Sequence, residues 1–267
     1  MKILNKSQLQ LIAVIAMVID HTAVFVPSLA AYYGMRFIGR MTIVIMSYFV
    51  AEGFYKTRSI NRYIIRMAVF AAVSQIPFYL YEHFGRFPDD FFHVILEMCT
   101  GLNVIFTLLV SLCLLAILKS KQHIIVKILS FIVAWKLVSY CDWSYFCLLW
   151  VLAFGMFYGD ERRQMKAAAV IVLLRVMFVG MPIIEQFVTS LLPQSIGDVF
   201  SFVARHINSA QPTYGQFYFS LVQFGGLLAI PPLMMYNGEK GSAPRYGFYI
   251  FYPVHIVLLF FIKVFIN

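Results

Sequence analysis

The chain has 267 residues, 61% of them hydrophobic and 12% charged, with a mean hydropathy of +0.81. A soluble domain keeps roughly a quarter of its residues charged, so the composition excludes an ordinary soluble protein and points to a polytopic membrane protein. The formal charge of +9 reads as Lys and Arg gathered in cytoplasmic loops. No basic block or soluble module is present to bind nucleic acid.

A spanning helix needs about 20 mostly apolar residues. Nine runs qualify in chain order: roughly 9–27, 36–55, 62–82, 102–118, 123–140, 143–159, 167–192, 215–236 and 246–265. The first begins near Leu9 and is long enough to remain as an anchor rather than a cleaved signal. A short run at 91–97 reads as re-entrant or interfacial, and a tenth span near 91–101 or 196–207 would change the parity. No soluble domain and no internal repeat interrupts the series. The expected fold is all-α: a polytopic transmembrane helical bundle of about nine to ten spans, with residues 1–267 forming a single domain.

Positive charge falls in alternate connections. Lys2 and Lys6 precede the first run, and Lys56, Arg58, Arg62 and Arg66 flank the second connection. Lys119, Lys121 and Lys127 follow, then Arg162, Arg163 and Lys166, then Lys240 and Arg245. The third connection, EHFGRFPDD, is net acidic. This alternation predicts a cytoplasmic N-terminus. Cys99, Cys113, Cys141 and Cys147 form no CxxC pair, and the six histidines fall at no metal-ligand spacing, so no metal or redox site is signalled.

Several ionisable residues lie at membrane depth. Counting 1.5 Å per residue, His21 lies about 18 Å from the inner edge of the first run and His255 about 12 Å into the last. Asp20, Arg36, Arg40 and Arg175 fall in the same band. Such groups are costly in hydrocarbon, face the protein interior and are functional candidates by default. A structural role stands beside each. Asp20 can staple two helices by pairing with Arg36 or Arg40. His21 can bond a backbone carbonyl, and His255 follows Pro253, where a helix kinks and frees one. Arg175 can counter Asp20 or Glu185, and Glu52 can pair with Lys56 one turn on. On the cytoplasmic side Arg58, Arg62 and Arg66 share one helix face. They and the polar turn YNGEKG, with Asn237 and Lys240, can cradle an anion or simply meet lipid head groups.

An ordered series of segments carries a resemblance: IDHTAVF (19–25), RFIGRMTIVIMSYFVAEGFYKTRSINRY (36–63), SQIPF (74–78), NVIFTLLVSL (103–112), SYFCLLWVLAFGMF (144–157), QFGGLLAIPPLMMYNGEKG (223–241) and FYIFYPVHIVLLF (248–260). This series resembles the TraX family of membrane proteins across nearly the whole chain. The chain departs from many relatives in the second run, where Thr42 rather than Pro follows Arg40–Met41. The 193–214 segment shows no family pattern.

The resemblance implies a membrane-bound acyltransferase of the bacterial cytoplasmic membrane, acting in conjugation by N-acetylating pilin with acetyl-CoA as co-substrate. The acceptor stays open between a pilin-like peptide, an envelope sugar and a small amine. In this reading Arg58, Arg62, Arg66, Asn237 and Lys240 hold the donor's phosphates. His21 is the general base, with His255 the second choice. Asp20 orients Arg36 or Arg40, and these stabilise the oxyanion. A route through an acetyl-imidazole is equally open. A proton-coupled transporter, with the same residues as a relay, and a non-catalytic assembly factor are the competing classes.

Overall fold

The computed structural model describes residues 2–88, 90–208, 213–242 and 246–266. Arg245, counted above among the orienting charges, lies outside the described residues. Helices dominate, and several start where the sequence supplies a cap. Asn5 opens α1 (Lys6–Thr22) with a capping box: its side chain accepts from the Gln8 amide, and the Gln8 side chain accepts from the Asn5 amide. Arg40 separates α2 (Leu29–Gly39) from α3 (Met41–Lys56), so the 36–55 run contains a helix junction rather than one continuous rod. Ser59 caps α4 (Ile60–Glu82), and α5 (Phe91–Thr100) is a short apolar helix with no buried residue. Asn103 caps α6 (Val104–Lys119), His123 caps α7 (Ile124–Val138), and α8 (Ser144–Met156) follows directly. Asp160 caps the long α9 (Glu161–Leu191), which is followed by α10 (Gln194–Ile207) and α11 (Tyr214–Val222). A tight 3-10 stretch, Gln223–Ala229, leads into α12 (Ile230–Met234), and α13 (Gly247–Ile266) closes the chain.

Among the described residues, six stretches are long and apolar enough to cross a membrane: Lys6–Phe25, Leu29–Lys56, Ile60–Glu82, Glu161–Leu191, Gly215–Met234 and Gly247–Ile266. They coincide with six of the nine runs. The other three runs form the shorter helices α6, α7 and α8.

The short helices matter for the site. At 13 residues α8 is about 20 Å long, well under the ~30 Å of a hydrocarbon core. Ser139, Tyr140 and Asp142 in the turn before it are exposed, and irregular backbone beside the cavity is best satisfied by protein. It is: the Leu102 amide donates to Tyr140 O at 2.8 Å, the Asp142 amide to Leu102 O at 2.7 Å, and Thr107 Oγ1 to Asp142 O at 2.5 Å.

The core gathers around α3, which is flanked by α1, α6, α8 and the 3-10 stretch. Val44, Ile45, Leu112, Leu115, Leu148, Val151 and Phe154 are sealed from solvent there. A second apolar cluster (Met17, Ala71, Tyr81, Ile105, Tyr252, Ile256 and Leu259) joins α13 to α1, α4 and α6. The open face of α7, with Ile125, Ile128, Leu129 and Ile132 exposed, suits lipid contact. At one end of the bundle the chain start threads onto the α12–α13 connection, the Ile3 and Leu4 amides donating to Met235 O at 2.9 Å each. Lys2 pairs with Glu161 at the same end, at 2.5 Å. The N-terminus, the α8–α9 connection and the 235–242 turn thus share one side, as the charge alternation requires.

Candidate active site

A cavity of about 490 Å³ opens between the two apolar clusters. Residues Lys6, Ser7, Gln10, Met17, Asp20 and His21 of α1 line it along their helix. From Lys6 to His21 this wall is about 22 Å long. At the end that holds the N-terminus, the mouth carries Lys6, Lys56, Arg66 and Lys240. The middle is walled by Met46, Phe49, Tyr63, Met67, Leu108 and Tyr249. The deep end holds Asp20, His21, Gly39, Asp142, Trp143 and Tyr252.

The deep end is built around two imidazoles. His21 Nδ1 lies 2.8 Å from His255 Nε2, and the ring planes agree within 5°. His255 Nδ1 lies 3.0 Å from Phe251 O. A carbonyl only accepts, so Nδ1 of His255 carries the proton and its Nε2 is a lone pair. That lone pair accepts from His21 Nδ1–H. His21 Nε2 is then the unprotonated nitrogen, and it has no hydrogen-bond partner among the described residues. The two helices that carry the pair are far apart in sequence and packed in space. Tyr81 adds a further tie by donating to His21 O at 3.0 Å.

Asp20 is the hub of an ion-pair cluster behind this wall. Arg40 Nη2 reaches its Oδ1 at 2.8 Å and Arg36 Nη1 its Oδ2 at 3.2 Å. Gly39 is required here, because a Cβ at that position would collide with the Asp20 side chain. Neither Arg36 nor Arg40 lines the cavity; both approach Asp20 from outside it. The geometry therefore gives them the stapling role rather than the expected place beside an oxyanion.

The α7–α8 turn supplies residues that sequence reading passed over. Trp143 adopts a left-handed backbone, φ 60°, and Ser144 follows at φ 40°. Such strain in non-glycine residues clusters at functional sites. The Trp143 ring is held between two guanidinium groups, Arg40 at 4.7 Å and Arg175 at 4.5 Å from its centroid. Arg175 also donates to Gln223 Oε1 at 2.7 Å, so it meets neither Asp20 nor Glu185; the latter pairs with Arg205 at 2.9 Å. Asp142 Oδ1 accepts from the Trp143 amide at 2.8 Å, while the residue opens on the cavity.

At the mouth Glu52 is almost sealed, at 3% exposed. It holds Lys56 at 2.7 Å and Lys6 at 3.2 Å, one lysine on each oxygen. Of the residues expected to bind phosphate, Arg66 and Lys240 line the cavity, whereas Arg58 and Arg62 point away, exposed. Asn237 serves the turn itself, pairing with Glu239 through both side-chain atoms.

Against known proteins, the model of the family described as TraX protein matches residues 5–263. The chain belongs to the TraX family. It is also similar to the probable fimbrial assembly protein FimC, serogroup H1, of Dichelobacter nodosus: 32% identical over 267 residues, covering 97% of this chain and 96% of the relative. No solved structure matches it. The TraX resemblance in the sequence thus holds over nearly the whole chain. The segments that carried it supply both ends of the cavity: IDHTAVF and YPVH bring His21 and His255 together, and EGFYKTR and YNGEKG meet at the mouth.

Proposed function

We propose that this TraX-family protein is a membrane-embedded acyltransferase that moves an acetyl group from acetyl-CoA to an amine or hydroxyl acceptor, in the bacterial cytoplasmic membrane with the N-terminal end facing the cytosol. The observation that carries the proposal is one cavity lined by a cationic mouth at one end and, at the other, by His21, whose Nε2 has no hydrogen-bond partner among the described residues. The chain's residues fit the donor's parts. Four cations at the mouth suit its phosphates, and a narrow apolar middle suits its thin pantetheine arm. The donor supplies an activated thioester: the acceptor's nitrogen or oxygen bonds to the carbonyl carbon, and the C–S bond breaks to release a thiol.

The residues divide the work as follows. His21 Nε2 takes the proton that the acceptor must lose. His255 fixes the His21 tautomer through the Nδ1–H bond, and the Phe251 carbonyl fixes His255 in turn. The cation that forms on His21 lies next to Asp20 in sequence and is shared along the same hydrogen bond. Arg36 and Arg40 hold the Asp20 carboxylate and so tie α1 to the α2–α3 junction.

The D. nodosus relative's name favours an acceptor connected with fimbriae, and leaves a non-catalytic assembly role as the second reading. The test is thiol release from acetyl-CoA by the purified protein in detergent, with lysate as acceptor pool. Release that His21→Ala abolishes while the protein stays folded supports transfer. Saturable CoA binding without any release supports assembly instead.

A further inference from the structure

The mouth of the cavity carries more than scattered positive charge. Lys6 comes from α1 and Lys56 from the end of α3, and the buried Glu52 carboxylate fixes both ammonium groups at once. Each ammonium has three N–H donors. Lys56 spends one on Glu52 and one on Gly238 O at 3.1 Å, in a turn that needs glycine for its φ of 83°. Lys6 spends one on Glu52 and lies 4.8 Å from the Phe49 ring centroid. The remaining donors belong to residues that line the cavity. Tyr236 stands beside them, 5% exposed, its buried hydroxyl near the Glu52 carboxylate but without a formed hydrogen bond. It lines the same cavity, and Lys56 lies 5.6 Å from its ring centroid. An orphaned buried hydroxyl among preset ammonium groups is unusual and costly unless a ligand completes it.

The geometry points to a phosphate clamp: Lys6, Lys56 and the Tyr236 hydroxyl grip the diphosphate of a soluble nucleotide donor, and Glu52 is the positioning residue that presets the two lysines. This rests on the acyl-transfer reading. It differs from a simple basic surface in a checkable sign. On Coulomb's law alone, neutralising Glu52 removes a negative charge and tightens anion binding. In a clamp the same change frees both lysines and weakens it.

The experiment measures CoA and inorganic pyrophosphate binding by calorimetry on the full chain in neutral detergent. The proteins are wild type, Glu52→Gln, Lys56→Gln, Tyr236→Phe and, as a charge control away from the cavity, the partly exposed Lys127→Gln. The clamp predicts at least a tenfold rise in the Kd for CoA in the three mouth variants, a parallel loss for pyrophosphate, and no change in Lys127→Gln. If Glu52→Gln fails to fold, Tyr236→Phe still decides, since it removes only one oxygen. An unchanged Kd in Lys56→Gln and Tyr236→Phe overturns the clamp. So does displacement of CoA by phosphatidylglycerol micelles at equal phosphate, which assigns the mouth to lipid head groups. His21-dependent thiol release with unaltered binding in the mouth variants leaves transfer standing and removes the clamp. Variant-sensitive pyrophosphate binding without any thiol release does the reverse.

Discussion

Replacing His255 with Ala isolates the part of the site that the structure defines most sharply. His21 Nδ1–H then loses its acceptor 2.8 Å away, and the tautomer with a free Nε2 is no longer enforced. One hydrogen bond of this kind is worth about 1–1.5 kcal/mol. At 1.36 kcal/mol per decade of rate, kcat should fall about 5- to 15-fold. His21→Ala, which removes the base itself, should cost about 10²- to 10⁴-fold. His255→Gln offers a side-chain oxygen in place of Nε2 and should recover part of the loss. The assay is the rate of thiol release at saturating acetyl-CoA, with thermal unfolding in detergent as the check on folding. Wild-type kcat in His255→Ala would refute the dyad. An inactive His255→Ala beside an active His21→Ala would reverse the two roles.

Other outcomes follow from the same geometry. Gly39→Ala should lower the thermal midpoint, by an amount typical of overpacking at about 1–3 kcal/mol, because its Cβ meets the Asp20 side chain. Asp20→Asn leaves Arg36 and Arg40 uncompensated in the bundle. Breaking a buried pair costs about 3–5 kcal/mol, so yield and thermal midpoint in detergent should both drop.

Much of the fold was legible because its cause is local. Apolar runs mark spanning helices, whereas the caps at Asn5, Ser59, Asn103 and Asp160 emerge only from the structure. The Asp20–Arg36–Arg40 cluster followed from depth and sidedness, as did the suspicion attached to His21 and His255. Their hydrogen bond did not, since it depends on how α13 packs against α1, and no periodicity encodes that. Asp142 and Trp143 escaped notice for a related reason. In sequence they look like an ordinary connection between two runs, and only the packing of that turn against the cavity brings them to the site. Lys6 and Lys56 were read as orienting charge, which is what isolated lysines beside a span usually are. Glu52 converts them into a pair, and that contact again joins helices that are distant in the chain. Arg58 and Arg62 show the converse: a shared helix face is legible, but whether it turns toward the cavity or away from it is not.

The central claim is that one cavity joins donor mouth and base. The most direct measurement is a structure of the His21→Ala protein with acetyl-CoA bound. The account predicts the phosphates at Lys6, Lys56 and Tyr236, and the thioester carbonyl at the deep end, beside position 21 and His255. A donor bound outside the cavity, or one whose thioester stops at the mouth, would contradict it.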